Sequence, residues 1–210
     1  AIFAQQGAKL LYDPWAARED YIRVILNRPK MGAFFKKHIP PKVKKKGREI
    51  ALQLLEMQRN RMLMYSSCGW FFDDITGIES LQILRFAARA IQLASQFDPN
   101  LLEDFLNELA NAQSNIKPYL HGNEIFQQKV TPQIATLSSV AAHVAITLVF
   151  DEVSFRDRLY CYSVKILDCV KERSGEKTLI VGRMSVLSRI TTESQEFAFA
   201  VIYYGGVDLR

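Results

Sequence analysis

Three carboxylates, Asp73, Asp74 and Glu79, lie close together along the chain. Two carboxylates can serve as acid and base in glycoside hydrolysis when they stand roughly 5–9.5 Å apart. Asp73 and Asp74 form a poor pair by themselves, because adjacent side chains generally point in different directions. All three also precede or open a predicted helix, whose positive amino-terminal end favours nearby acids. We prefer this electrostatic interpretation, and the sequence therefore predicts no complete active site.

Cys68 is the one candidate nucleophile, since Gly69 and a predicted helix start follow it. A low thiol pKa requires a positive partner nearby, whereas the adjacent side chains are aromatic or acidic. We therefore expect a buried, inert cysteine. Cys161 and Cys169 complete an odd set of three without C-x-x-C spacing, which argues against a disulfide framework and a structural zinc site.

The three histidines are far apart, and none forms an H-x-x-x-H or H-E-x-x-H pair. His143 lies in an apolar run, so we expect a hydrogen-bonded core residue and not a ligand. These features predict no metal and no cofactor. No apolar run reaches the ~18 residues that a transmembrane helix needs. The cysteine pattern favours a reducing, cytoplasmic setting.

Three consecutive aromatic residues, Trp70, Phe71 and Phe72, stand between two strongly helical segments. Connections between helices are normally short, polar and exposed, and each aromatic ring buries roughly 150–250 Å² when it is covered. This connection must therefore be packed under something, or it must cover something. Chemistry alone favours a core plug between helices, with a loop that faces a ligand or partner as the alternative.

Helical periodicity dominates the chain up to residue 150. Asp13 and Pro14 have the residue types of a helix cap and a first helical position, and Thr76 with Glu79 has the form of a capping box. Apolar residues spaced three and four apart predict further helices over residues 48–65, 76–96, from 98 onward, and 123–150. Pro132 should kink or split the last of these.

The hydrophobic period changes from 3.6 to 2 after residue 150. Alternating segments at 160–167, 177–190 and 197–203 predict a three-strand antiparallel meander, with a turn at 172–176. We therefore predict an α+β, mainly α, protein with two parts. An antiparallel helical bundle occupies residues 1–150, and an antiparallel β segment that starts a β domain occupies residues 151–210 and packs on the bundle.

The net charge of +5 includes a dense basic segment, in which six lysines lie between positions 36 and 46. Such a run could contact phosphates. It brackets Pro40-Pro41 and has no interleaved aromatic residues, so a solvated connection between helices is the favoured interpretation.

Several segments carry a family resemblance. They are DPWAAREDYI at 13–22, LEMQR at 55–59, MYSSCGWFFDDITGIE at 64–79, AARAIQLA at 87–94, AQSNI at 112–116, VAAH at 140–143 and RLYCY at 158–162. They resemble the uncharacterised domain that follows the catalytic barrel in bacterial proteins of the glycoside hydrolase family 57 type. The resemblance covers nearly the whole chain, and residues 67–79 are its most specific part.

The resemblance implies a non-catalytic accessory domain of a carbohydrate-active enzyme, whose parent is a glycoside hydrolase or glucanotransferase acting on α-glucans. Its expected partners are the catalytic barrel of the same polypeptide and an α-glucan or oligosaccharide, with no membrane and with nucleic acid disfavoured. Trp70, Phe71, Asp73 and Asp74 would face the substrate or the barrel, which reverses the preference for a core plug. The alternative is a stand-alone module that binds a protein or nucleic acid and has no carbohydrate role.

Overall fold

The computed structural model describes residues 1–118, 120–150 and 158–206. The chain divides into two compact units, Ala1–Ile134 and Ala135–Arg210. The described part of the first unit is built from helices, and the second combines one long helix with an antiparallel sheet. The predicted α+β class is therefore confirmed.

The division between the units falls earlier than the predicted boundary at residue 150. The helix Leu137–Phe150 packs against the sheet, with which it shares a hydrophobic core. The predicted boundary lies where the hydrophobic period changes from that of a helix to that of a strand. The boundary between the units lies earlier, because a unit consists of the elements that bury their apolar faces against each other.

The first unit contains the following helices: α1 (Ile2–Gly7), α2 (Pro14–Asp20), α3 (Ile22–Leu26), α4 (Met31–His38), α5 (Lys45–Leu63), α6 (Cys68–Phe71), α7 (Ile78–Ala94), α8 (Leu101–Leu109) and α9 (Gly122–Ile125). The start of α2 follows the prediction. The Asp13 carboxylate accepts hydrogen bonds from the backbone N–H groups of Trp15 and Ala16, at 2.8 and 3.1 Å, and Pro14 occupies the first turn.

Helix α5 is buried on nearly all sides over residues 51–58. Its apolar residues form the centre of the first unit's main core. Glu56 lies within this stretch and is only 3% exposed, although it is charged. The Tyr21 hydroxyl donates to its Oε1 atom at 2.6 Å, while Arg28 and Arg59 each approach the carboxylate to 3.3 Å. These partners compensate the cost of burying the charge.

The predicted break at Pro132 is confirmed. Helix α9 continues as a π-helical turn over Phe126–Val130 and a 3-10 turn over Thr131–Gln133, and α10 then runs over Leu137–Phe150 in the second unit. A proline lacks the N–H group that a continuous helix would use, so the helix cannot pass through this position unbroken.

The sheet has four antiparallel strands in the order of the chain: β1 (Arg158–Leu159), β2 (Tyr162–Ser174), β3 (Lys177–Ser188) and β4 (Ser194–Tyr203). The short β1 was not predicted. Ser174 pairs with Lys177 across the tight turn between β2 and β3, and Gly175 has a positive φ of 61° there, a conformation that glycine adopts readily. One sheet face buries Val164, Met184 and Val186 against α10.

His143 was predicted to be a core residue, and this prediction is wrong. Helix α10 buries Val140, Ala141, Val144 and Ala145 against the sheet, which leaves His143 exposed. The apolar run around His143 suggests burial on every side, but a helix that packs on a sheet buries only the side that faces the sheet.

Candidate functional site

The aromatic residues between α5 and α7 form an exposed cluster, which we call the aromatic platform (Trp70, Phe71 and Phe72). Trp70 is 73% exposed, Phe71 77% and Phe72 51%. The rings of Phe71 and Phe72 meet edge to face, with their centroids 5.3 Å apart. The core plug favoured by chemistry alone is therefore not what these residues form. Cys68 is also exposed, in contrast to the expected buried thiol.

The platform begins on α6, which is held tightly against α7. A Cβ atom at Gly69 would lie 2.1 Å from the Cγ1 atom of Ile83, a distance that no real side chain tolerates. The Ser80 hydroxyl donates to the Gly69 carbonyl at 3.2 Å and to the Asp74 carbonyl at 3.1 Å. Glycine is thus required because the backbone of α6 lies directly on a side chain of α7.

Asp74 anchors the other end of the platform. Its side chain is buried, at 8% exposure, and its Oδ1 atom accepts from both the backbone N–H group of Thr76, at 2.7 Å, and the Thr76 hydroxyl. The Ser114 hydroxyl donates to Oδ2 at 3.0 Å, and the backbone N–H of Asn115 donates to the same atom at 2.6 Å. Both carboxylate oxygens are therefore occupied within the protein.

These donors favour the charged form of Asp74. The Thr76 hydroxyl and backbone N–H, helped by Asn115 and Ser114, lower the pKa of the Asp74 carboxyl to about 2, although burial acts in the opposite direction. The carboxylate is consequently ionised at neutral pH and joins the platform to the loop that carries Ser114.

Asp73 lies on the exposed side of the same turn. Its backbone carbonyl accepts a hydrogen bond from the Asn115 side chain at 2.7 Å, which holds its main chain in place. Of the two adjacent carboxylates, Asp73 reaches solvent and Asp74 faces inward. This arrangement agrees with the expectation that neighbouring side chains point in different directions.

The predicted capping box is wrong. Helix α7 begins at Ile78 with Gly77 as its cap residue, and no side-chain capping bond is formed. Thr76 instead directs its hydroxyl toward Asp74, because a buried carboxylate is a stronger acceptor partner for it than a neutral backbone group.

No local sequence pattern predicts a role for Ser114 and Asn115. The separation along the chain, about forty residues from Asp74, hides their contact from any local pattern. The only sequence signal was that the segment AQSNI at 112–116 shares the resemblance with the platform segment.

A family model described as "Domain of unknown function (DUF3536)" matches residues 1–210. The chain belongs to this family. No curated protein and no solved structure matches the chain. The DUF3536 match shows an uncharacterised domain over the whole length of the sequence.

Two further findings concern the described residues of the DUF3536 domain. No group of three or more His, Cys, Asp or Glu side chains in this part of the chain is placed to hold a metal ion. In the same part, no single helix has the length and apolar composition to cross a membrane; only the consecutive helical segments 122–133 and 137–150, taken together, have both.

Proposed function

We propose that this DUF3536 domain is a non-catalytic accessory domain of a carbohydrate-active enzyme of the glycoside hydrolase family 57 type. In this proposal the domain packs against the catalytic barrel of its parent polypeptide. It contributes the aromatic platform and Asp73 to a groove that holds an α-glucan. The observation that carries the proposal is the exposure of three consecutive aromatic rings on a rigidly anchored turn.

The exposure is informative because it is costly. Exposed apolar patches on a folded protein often coincide with an interaction site. Here the surface is not a mobile tip, since Gly69 packs on α7 and Asp74 is held by donors from two segments. A rigid platform loses little conformational entropy when a ligand covers it.

The chemistry of the platform suits a sugar. A glucose ring presents flat C–H faces that stack on aromatic rings and hydroxyl groups that donate to carboxylates. Trp70 and Phe71 offer the exposed rings, and Asp73, two residues after Phe71, offers an exposed carboxylate. In this proposal Asp74 holds the platform in position and does not itself contact the sugar, because its carboxylate oxygens already accept hydrogen bonds from within the protein.

The first test uses the full-length parent protein and its Trp70→Ala variant. We expect the variant to bind maltoheptaose about tenfold more weakly by calorimetry, which corresponds to about 1.4 kcal/mol. Tyr12→Ala is the matched control, because Tyr12 is also an exposed aromatic residue of the first unit, at 64% exposure. Equal maltoheptaose affinities for all three proteins would contradict a role of the platform in glucan binding.

The second test separates this proposal from an interaction module. The coding sequence upstream of Ala1 should encode a barrel with a carboxylate pair. For the alternative, the relevant surface is the basic segment, whose six lysines are exposed; two of them pair with acids, Lys37 with Asp20 at 3.0 Å and Lys46 with Glu49 at 3.2 Å. The alternative would be favoured if the parent protein binds no glucan but binds a protein or nucleic-acid partner, and if the Trp70→Ala variant no longer binds that partner.

A further inference from the structure

The positive charge of the chain is concentrated in one stretch. Residues 21–48 contain ten lysine and arginine side chains and no aspartate or glutamate, whereas the other 182 residues carry 17 basic and 22 acidic side chains. Six of the ten are the exposed lysines of the basic segment, between positions 36 and 46, and Arg48 is exposed as well. A charge asymmetry of this size within one chain indicates an anionic partner.

Neighbouring acids neutralise only part of this charge. The Asp20 carboxylate pairs with Lys37 at 3.0 Å, and the Glu49 carboxylate pairs with Lys46 at 3.2 Å. The ion pairs of the described residues include none of the other four lysines of the basic segment, which are Lys36, Lys42, Lys44 and Lys45. Four exposed ammonium groups are therefore available to a ligand.

The basic segment is not a loose connection between α4 and α5. Ile39 and Val43 anchor it in the main core of the first unit, at 4% and 7% exposure. The Nε atom of Arg48 donates to the Val43 carbonyl at 3.3 Å, and the Arg48 guanidinium lies 5.8 Å from the Phe35 ring centroid. These contacts join the end of α4 to the start of α5, so the lysines before and after the two prolines belong to one structured surface.

Helix α5 begins inside this surface without the usual compensation for its positive end. Lys44 is its cap residue, no side-chain capping bond is formed, and the first turn contains no acidic residue. Lys45 and Lys46 instead add positive charge to the positive end of the helix dipole. An anion bound at the surface would offset this repulsion.

The fold adds an aromatic side chain that the basic segment lacks in the sequence. The backbone N–H group of Tyr12 donates to the His38 carbonyl at 3.0 Å, so Tyr12 lies beside the basic last turn of α4. A Cβ atom at Gly47 would lie 3.3 Å from the Leu10 Cδ2 atom, so the same stretch of chain also contacts the start of α5. Tyr12 is 64% exposed and is thus accessible to a ligand of the basic segment.

We propose that this surface, formed by the basic segment and Tyr12, binds single-stranded nucleic acid without preference for its sequence. The lysines pair with successive phosphates, and Tyr12 stacks on a base. Lysine is a point charge and not a planar fork, so it holds the phosphate backbone and reads no base edges. The surface shares no residue with the aromatic platform, so the proposal does not depend on the glucan proposal.

An anionic membrane fits this surface less well. Proteins that bind a membrane surface insert apolar side chains beside their basic residues. Here Ile39 and Val43, the aliphatic side chains between the lysines, are buried in the protein. A base, by contrast, needs only one exposed ring on which to stack.

The first test measures how salt affects binding. The probe is a fluorescently labelled oligothymidine of about 20 nucleotides, longer than one typical site, and anisotropy reports its binding to the full-length parent protein. The logarithm of the association constant should fall linearly with the logarithm of the NaCl concentration, with a slope of about −3 to −4 for about five phosphate contacts.

A lysine variant and a control locate these phosphate contacts. The variant carries Lys42→Gln, Lys44→Gln and Lys45→Gln, and its slope should be less steep by about 2, because each lost contact removes about 0.7. The control has the same net charge and should keep the slope of the parent; it carries Lys117→Gln, Lys129→Gln and Lys165→Gln, at exposed positions outside residues 21–48.

The second test concerns the stacking. Tyr12→Ala should weaken oligothymidine binding about 5-fold or more and leave the salt slope unchanged, because stacking releases no counterion. Tyr12→Phe keeps the ring and should bind as the parent does. Tyr65→Ala is the matched control, because Tyr65 is 66% exposed and follows the other end of α5, roughly 28 Å from its start. It should also bind as the parent does.

Three results would refute the proposal, once far-UV circular dichroism has verified that each variant is folded. The first is an absence of oligothymidine binding, or equal salt slopes for the parent and the lysine variant. The second is an affinity that Tyr12→Ala leaves unchanged, which would reduce the surface to a site for any phosphate chain, such as inorganic polyphosphate. The third is binding to phosphatidylserine vesicles without binding to oligothymidine, which would assign the surface to a membrane.

Discussion

Truncation of Trp70 should cost the isolated domain little stability. Trp70 is 73% exposed, so folding hides only about a quarter of a side chain whose full area is at most roughly 250 Å². At ~25 cal/mol per Å² this area corresponds to at most about 1.6 kcal/mol. The compactness of real denatured chains lowers the figure further. We therefore expect Trp70→Ala to reduce the free energy of unfolding by about 1 kcal/mol.

A buried aromatic residue of the same unit provides the comparison. Phe126 is 1% exposed, and its replacement by alanine should cost about 3–5 kcal/mol. Phe71→Ala is the matched substitution on the platform, because the chemical change is identical and Phe71 is 77% exposed. We expect Phe71→Ala to resemble Trp70→Ala and to differ clearly from Phe126→Ala.

Urea unfolding followed by far-UV circular dichroism measures all four proteins. The midpoints and slopes should be compared together, since a change in slope would indicate an altered unfolded state or a separate transition of one unit. A loss of about 3 kcal/mol or more for Trp70→Ala, close to that of Phe126→Ala, would refute the reasoning. It would mean that Trp70 belongs to the core.

Three further predictions concern the anchors of the platform. Gly69→Ala should lower the free energy of unfolding by about 1–3 kcal/mol, and Ile83→Ala, which removes the clashing atoms, should restore part of that loss. Gly32→Ala is the control and should be neutral or stabilising, because a Cβ atom at Gly32 would meet nothing within 4 Å. Equal urea midpoints for the two glycine variants would contradict this prediction. Ser114→Ala should lower the free energy of unfolding by about 1–2 kcal/mol, and an unchanged urea midpoint would show that the hydroxyl is dispensable. Because the pKa of Asp74 is lowered to about 2, the stability that its ionised carboxylate contributes is present above about pH 4 and is lost as the pH falls toward 2. The free energy of unfolding of Asp74→Asn should therefore change less between about pH 4 and about pH 2 than that of the parent protein. Parallel plots of unfolding free energy against pH for the two proteins would refute the role of the carboxylate.

Local backbone chemistry made part of the fold predictable. Asp13 caps α2 and Pro132 ends a helical run because each residue's own structure restricts its neighbours. The turn at Gly175 and the alternating strands are signals of the same kind. A prediction failed where a side chain had two possible hydrogen-bond partners. The Thr76 hydroxyl bonds to Asp74 and does not cap α7.

Only part of the candidate site could be predicted from the sequence. Its residue types at 70–74 were conspicuous, and the resemblance directed attention to them. The inward role of Asp74 could not be predicted, because Ser114 and Asn115 reach it only after the chain has folded back. A local pattern has no information about a contact across forty residues.

By itself the sequence determined the α+β class, the family, and which residues carry the unusual chemistry of residues 68–79. The tertiary structure decided which of these residues face water and which face inward. Helix α5 hides Glu56 because Tyr21 and Arg28 arrive to pair with it. The platform stays exposed because its backbone is held from below while nothing in the described part of the chain covers its rings. Burial is a property of pairs of surfaces, so it is settled only when distant segments meet.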